Sequence, residues 1–331
     1  MQHKLVDLLR YRRPEGSETQ REFCEKYLEP VMGMPDVHGN YIHIITKPDG
    51  QAPNICFTAH HDTVHKSGGY QHVVVYGDIA TSPGSDCLGA DCTTGVWLIL
   101  GMIEAGVPGV YVIHAGEEIG CVGSTALVKD NPSWLKHVDA VISFDRRGEE
   151  SIITHQLGRR TASDAFAVSL GKALDMPLLR PDDTGAYTDS NEYASVVKEC
   201  TNISVGYLNQ HTSKEEQDIY FAYVLLDALI EADWDSLVFE REPADDDWAD
   251  FYGWGRSNRR ESWGQSQSTY RGKFDKEDNV YELEDIIRDF PEELAELLND
   301  WNVDSAYLMD QLDMYIYKPG KVNDYLNRKV S

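Results

Sequence analysis

Short apolar strands alternating with helical patterns constrain this chain more than any other feature. Tyr41 to Thr46, Asn54 to Thr58, Gly109 to Ile113 and Ala140 to Phe144 are β-branched runs that end in polar turns. Between them, Glu18 to Leu28, Cys92 to Ala105 and Ser124 to Lys129 carry apolar residues at helical spacing. That alternation predicts an α/β fold, a three-layer sandwich around a mostly parallel central sheet. In such sheets, sites gather outside the carboxyl ends of the strands.

The pattern stops near Asp235. From Glu231 to Ser331 there are 25 acids against 12 bases, a net of -13, which is half of the whole-chain charge of -26. Residues 1–235 therefore read as a single catalytic domain and residues 236–279 as a polar linker without periodicity. Residues 280–331 read as a helical, acidic C-terminal extension. Within it, Val280 to Leu298 and Ala306 to Tyr317 have helical spacing, and Pro291 breaks the first of these.

Charge and composition exclude several classes. A net charge of -26 repels nucleic-acid phosphates and anionic membranes. No apolar run approaches the ~20 residues of a membrane-spanning helix. The first residues carry an early acid and no long apolar stretch of the kind a secretory leader needs. Six scattered cysteines without a Cys-x-x-Cys pair suit a reduced protein, so a cytoplasmic location is expected.

Each of four strand-like runs leads into metal-ligand residue types. Ile55 to Ala59 runs into His60-His61-Asp62, and Tyr111 to His114 into Gly116-Glu117-Glu118. Val141 to Phe144 runs into Asp145, and Ile203 to Tyr207 is followed by His211. Asp91, in Leu88-Gly89-Ala90-Asp91, opens the helix near Cys92. Imidazole and carboxylate groups suit zinc and related divalent ions.

These residues, in this order, resemble the pattern of the co-catalytic dizinc exopeptidase superfamily, which includes bacterial leucyl aminopeptidase, peptidase T and zinc carboxypeptidases. The resemblance covers roughly residues 1–235. It implies two divalent metal ions, zinc by preference, with cobalt or manganese as alternatives. His60, Asp91 and Asp145 would hold one ion. Asp91 would bridge to the second, held also by Glu118 and His211. Asp62 would orient His60, and Glu117 would be the general base. The spacings 60 to 91 and 145 to 211 leave no room for an inserted second domain, as in compact aminopeptidases. Cys92 departs from the pattern, which commonly has an acid there.

Several positions keep more than one reading. His61 is expected to line the cleft beside His60. Cys87, Cys92 and Cys121 read as small core residues, and His65, His72, His114 and His155 as packing or surface residues. Asp189 or a neighbour could anchor a free α-amine, whereas Arg146 or Arg147 would favour a substrate carboxylate. The expected activity is cleavage of a terminal peptide bond in a peptide or amino-acid amide, most simply as an aminopeptidase. Carboxypeptidase, dipeptidase and N-acyl amino-acid deacylase are the alternatives with the same site. A non-catalytic metal-binding scaffold, whose acidic tail recruits a partner, is a third class. The C-terminal extension is also the expected surface for homo-oligomer formation.

Overall fold

The computed structural model describes residues 4–243. The chain divides into two units, residues 1–254 and 255–331, and everything described here belongs to the first. The helices expected beyond Val280, most of the linker and the proposed oligomer surface lie outside the described residues.

The first unit is built on a seven-stranded sheet. Its spatial order is Arg180–Asp182, Ser151–Ile153, Glu199–Ser204, Ala140–Arg146, Ile55–His60, Gly109–His114 and Tyr41–Ile45. The four strands from Glu199–Ser204 to Gly109–His114 run parallel to their neighbours within this group. Tyr41–Ile45 closes one edge antiparallel to Gly109–His114, and Ser151–Ile153 pairs antiparallel on the other side. The mostly parallel sheet expected from the sequence is therefore present. Helices cover both faces.

Side-chain alternation explains the layering. Ile55, Phe57 and Ala59 face one core, together with Tyr111, Ile113, Ala140, Ile142 and Phe144. Cys56, Val110, Val112, Val141 and Cys200 point to the other core, against Leu127, Tyr193 and Val197. Successive residues of a strand face opposite sides, so a strand buried on both faces must be apolar throughout. That is why these strands read as β-branched runs rather than as an alternation. Each large side chain so buried stabilises the fold by about 1.5–3 kcal/mol.

One helix matters most for the site. Ala90–Ala105 lies across the strands Ile55–His60 and Ala140–Arg146, and thirteen of its sixteen residues are buried. Gly95 allows this close approach, since a Cβ there would stand 2.2 Å from the Phe144 carbonyl oxygen. The helix Ile219–Glu231 packs on its outer side, where Trp97 and Tyr223 meet edge to face at 4.7 Å.

The remaining elements gave weaker signals. The helix expected over Glu18 to Leu28 extends to Met32 and contains a π turn at Cys24–Leu28. The three-residue strands Ser151–Ile153 and Arg180–Asp182 are too short to show a period. A separate four-stranded sheet comprises Val74–Tyr76, Ile79–Thr81, Tyr207–Leu208 and Glu216–Asp218. Nor does the chain leave the domain at Asp235. Leu237 is buried, the backbone N–H groups of Glu240 and Arg241 donate to Glu199, and the Arg241 side chain donates to the carbonyls of Ala194, Val197 and Lys198. The first residues of the linker expected over 236–279, up to residue 243, thus have buried partners in the domain.

Candidate metal centre

The parallel strands deliver their side chains to one edge of the sheet. His60 is the last residue of its strand and pairs in register with His114, the last residue of the next. Glu117 and Glu118 follow in the turn beyond His114, and Asp145 lies near the end of the neighbouring strand Ala140–Arg146. Asp91 is in the first turn of the helix Ala90–Ala105. His211 comes from the loop between Tyr207–Leu208 and Glu216–Asp218, in the left-handed region at φ +60°. A non-glycine residue there costs about 1–3 kcal/mol, and such strain gathers at functional sites.

These side chains meet as two groups sharing Asp91. In the first, His60 Nε2 lies 3.6 Å from Asp145 Oδ1 and 4.0 Å from Glu117 Oε2. Donor atoms of His60, Asp91 and Cys92 all lie within 4.8 Å of one another. In the second, His211 Nε2 stands 2.8 Å from Asp91 Oδ2 and 3.3 Å from Glu118 Oε1. Here too the three donors lie within 4.8 Å.

The surroundings orient each donor. His60 Nδ1 lies 3.1 Å from the Asp62 carbonyl and 3.3 Å from its carboxylate. Both partners are acceptors, so Nδ1 carries a proton and Nε2 is the nitrogen turned to the site. Asp62, fully buried, also accepts the backbone N–H of Glu117 at 3.1 Å and of Glu118 at 3.0 Å. Thr188 donates to Asp145 Oδ2 at 2.8 Å, which leaves Oδ1 facing His60. The Asp145 backbone is held on both sides, by Asn202 at its N–H and by the Tyr207 hydroxyl at its carbonyl.

Crowded acids and burial act together on protonation. Burial opposes the His60 imidazolium, but Cys92, Asp145, Asp62 and Glu117 outweigh it and hold the pKa well above the ordinary value. Burial also opposes charge at His211, but the carboxylates of Asp91, hydrogen-bonded to it, and Glu118, 3.3 Å away, outweigh it and lift the pKa to about 12. Burial, then the neighbouring acids Asp145, Asp189 and Glu118, push Glu117 well above the usual carboxylate range. Asp91 is held low despite its burial, because His211 hydrogen-bonds to it.

This donor set fits divalent ions. Glu118 Oε1 is buried without a hydrogen bond, although His211 Nε2 lies 3.3 Å away. Oxygen and imidazole donors in two groups with one shared carboxylate are suited to a pair of ions about 3.5–4 Å apart. The groups open on a cleft of about 80 Å³, lined by Asp91, Glu117, Asp145, Arg146, Tyr187, Thr188 and His211 among others.

Some neighbours lie elsewhere than the sequence suggested. His61 does not line the cleft: it is buried, with Nδ1 3.0 Å from Gln20 Nε2 and Nε2 3.2 Å from the Gly39 carbonyl. An extended strand turns adjacent residues to opposite sides, and His61 takes the inner one. Asp189 is also buried. Its Oδ1 accepts from the Ser124 hydroxyl at 2.6 Å, Oδ2 has no hydrogen bond, and burial lifts its pKa to about 7. Its chain neighbours Tyr187 and Thr188 line the cleft, and Asp189 lies behind them. Arg146 reaches the cleft, but its guanidinium is engaged by Thr184 at 2.9 Å and Asp182 at 3.4 Å.

Three contributors were not assigned to the site from the sequence. Cys92, read as a core residue, has its Sγ among the donors, 3.2 Å from the buried guanidinium of Arg13. Thr188 and Glu215 support ligands from loops, where spacing has no period to reveal them.

A mostly parallel sheet with these donors at its strand ends agrees with the resemblance stated from the sequence. Residues 40–176 match the model of Peptidase family M28. Among solved structures, aminopeptidase PepT from Bacillus cereus has the same fold at 16% identity and a TM-score of 0.56, covering 69% of this chain and 96% of its own. A tripeptidase from Staphylococcus aureus is similar at 14% identity and TM-score 0.56, covering 69% and 95%. An aminopeptidase from the archaeon Desulfurococcus kamchatkensis is similar at 16% identity and TM-score 0.51, covering 69% and 94%. No curated protein matches the chain. Together, the family match and the fold support a metal-dependent peptidase. No helix among the described residues is long and apolar enough to cross a membrane.

Proposed function

We propose that this chain is a zinc-dependent aminopeptidase that removes an amino-terminal residue from short peptides, acting in the cytoplasm. The observation that carries the reading is the position of Glu117. Its carboxylate lines the cleft beside the proposed ligands, with Oε2 4.0 Å from His60 Nε2 where Asp145 Oδ1 stands at 3.6 Å. A carboxylate that faces the cleft next to the ligands is where a general base belongs.

His60, Asp91 and Asp145 would hold one ion, and Asp91, Glu118 and His211 the other. Bound there, the two ions would acidify a water and polarise the scissile carbonyl. Glu117 takes the proton of the attacking water on its Oε2 and returns it to the nitrogen of the leaving amine. Burial and the neighbouring acids raise its pKa well above the usual carboxylate range, which favours uptake of the proton from the water. Asp62 keeps His60 in one tautomer and holds the Glu117 backbone at the same time.

Arg146 lines the same cleft. Its Nη2 donates to Asp182 and Thr184 while its Nε has no hydrogen bond, so a substrate carboxylate is the competing reading that the test separates. The test pairs metal analysis with turnover of free-amine and N-acetylated peptides. About two divalent ions per chain and cleavage of the free-amine peptide alone are expected. Preferential cleavage of N-acetylated substrates would move the protein to the deacylase or carboxypeptidase class. Tight metal binding without any hydrolysis would leave a binding scaffold.

A further inference from the structure

We infer that Glu215 is the positioning residue that sets the distance between Asp91 and His211, tying two distant loops into one metal-binding half. This rests on the metal-centre reading above and adds to it a residue outside the ligand set.

Glu215 is a carboxylate with 2% exposure and an unusual set of partners. Its Oε2 accepts the backbone N–H groups of Leu88 at 2.9 Å and Gly89 at 3.0 Å, and its Oε1 that of Ala90 at 2.9 Å. Three successive N–H groups converge because Gly89 adopts φ +68°, ψ 41°, a conformation open to glycine. A Cβ at Gly89 would also stand 2.9 Å from Thr63 Cγ2. The residue after this cradle is Asp91.

The other end of the link is as short. Glu215 follows His211 by four residues, and the intervening turn is closed by its own hydrogen bonds. Glu215 N donates to the Thr212 carbonyl at 3.0 Å, and the Thr212 hydroxyl donates to the Asn209 carbonyl at 2.7 Å. Just beyond, Gln217 Oε1 accepts the Thr94 hydroxyl at 2.6 Å, one turn further along the Asp91 helix. The segment Glu215 to Gln217 therefore grips the first turns of that helix at two points. His211, at φ +60°, is carried on the gripped loop.

Burying a carboxylate beside Asp91 is unfavourable, and burial and Asp91 together lift Glu215 to about 7. The three N–H donors and the helix terminus offset that cost. An amide in its place would turn an NH₂ group toward backbone N–H donors, so Glu215→Gln keeps the size and loses the cradle.

The test is a metal titration of the metal-free full chain with Zn²⁺, wild type against Glu215→Gln, together with amide exchange at Leu88, Gly89 and Ala90. For wild type, two ions bind. For Glu215→Gln, the ion that would be held by Glu118 and His211 binds about 10–100-fold more weakly, as when a group orienting a ligand is lost, and the other ion, which shares only Asp91 with it, by a smaller factor. In metal-free wild type the three amides are protected from exchange, a readout that stands even if the variant fails to fold. Unprotected amides in wild type, unchanged binding of both ions by the variant, or equal weakening of both would each overturn the inference. A wild-type chain that binds no Zn²⁺ would instead overturn the metal-centre reading itself.

Discussion

Asp62 accepts the backbone N–H of Glu118 at 3.0 Å, so one buried carboxylate fixes a turn that carries a candidate ligand. The same side chain faces His60 Nδ1 at 3.3 Å and the Glu117 backbone at 3.1 Å. Asp62→Asn should therefore weaken both ion sites and not only the one that contains His60. A loss of about 10–100-fold in affinity at each is expected by metal titration. Weakening at a single site would show that the turn does not depend on Asp62.

Glu117 and Glu118 are adjacent but should respond differently to the same substitution. Glu117→Gln removes the proton acceptor and should lower kcat by about 10²–10⁴ with metal content unchanged. Glu118→Gln and His211→Ala should lower metal content. Elemental analysis beside turnover distinguishes the two patterns, and a Glu117→Gln variant within a few-fold of wild type would refute the assignment.

Metal uptake should depend on pH with a definite sign. In the metal-free protein His211 has its pKa lifted to about 12, so it is protonated at neutral pH and must lose that proton to act as a ligand. His60, also raised, must do the same. Affinity should rise with pH by about tenfold per unit for each proton released. Calorimetry in buffers of different ionisation enthalpy measures the number released.

Gly95→Ala should act on stability and on the site together. The added Cβ would stand 2.2 Å from the Phe144 oxygen, and backbone cannot yield as a side-chain tip does. Overpacking of this kind costs about 1–3 kcal/mol, and each kcal/mol lowers Tm by roughly 2–4 °C in a domain of this size. Because Asp91 lies on the same helix, Zn²⁺ affinity should fall as well. A thermal melt and a metal titration on one sample check both.

The domain boundary can be located by truncation. A chain ending at residue 243 keeps the contacts of Glu240 and Arg241 with Glu199 and should bind metal as the full chain does. A chain ending at Asp235 loses the buried Leu237 side chain and uncovers Glu199, and should be less stable by several kcal/mol, on the scale of one buried apolar side chain and a broken buried network. Equal melting temperatures for the two would return the boundary to Asp235.

What could be read along the chain followed from local order. Strands buried on both faces must be apolar throughout, so Ile55–His60, Gly109–His114 and Ala140–Arg146 stood out as runs. Since a parallel sheet collects strand ends on one edge, the polar residues after those runs marked the candidate site. His60, Glu117, Glu118 and Asp145 could be singled out in this way, and Asp91 by the helix it opens. Tertiary structure decided what spacing cannot encode. The sides taken by His60 and His61, the withdrawal of Asp189 behind the cleft and the approach of Cys92 to the donors depend on packing between elements far apart in sequence. Glu215 is the clearest case, because its partners Leu88, Gly89 and Ala90 lie more than a hundred residues away. Hydrogen bonds across such separations leave no periodic trace in either segment, so only the folded chain reveals them.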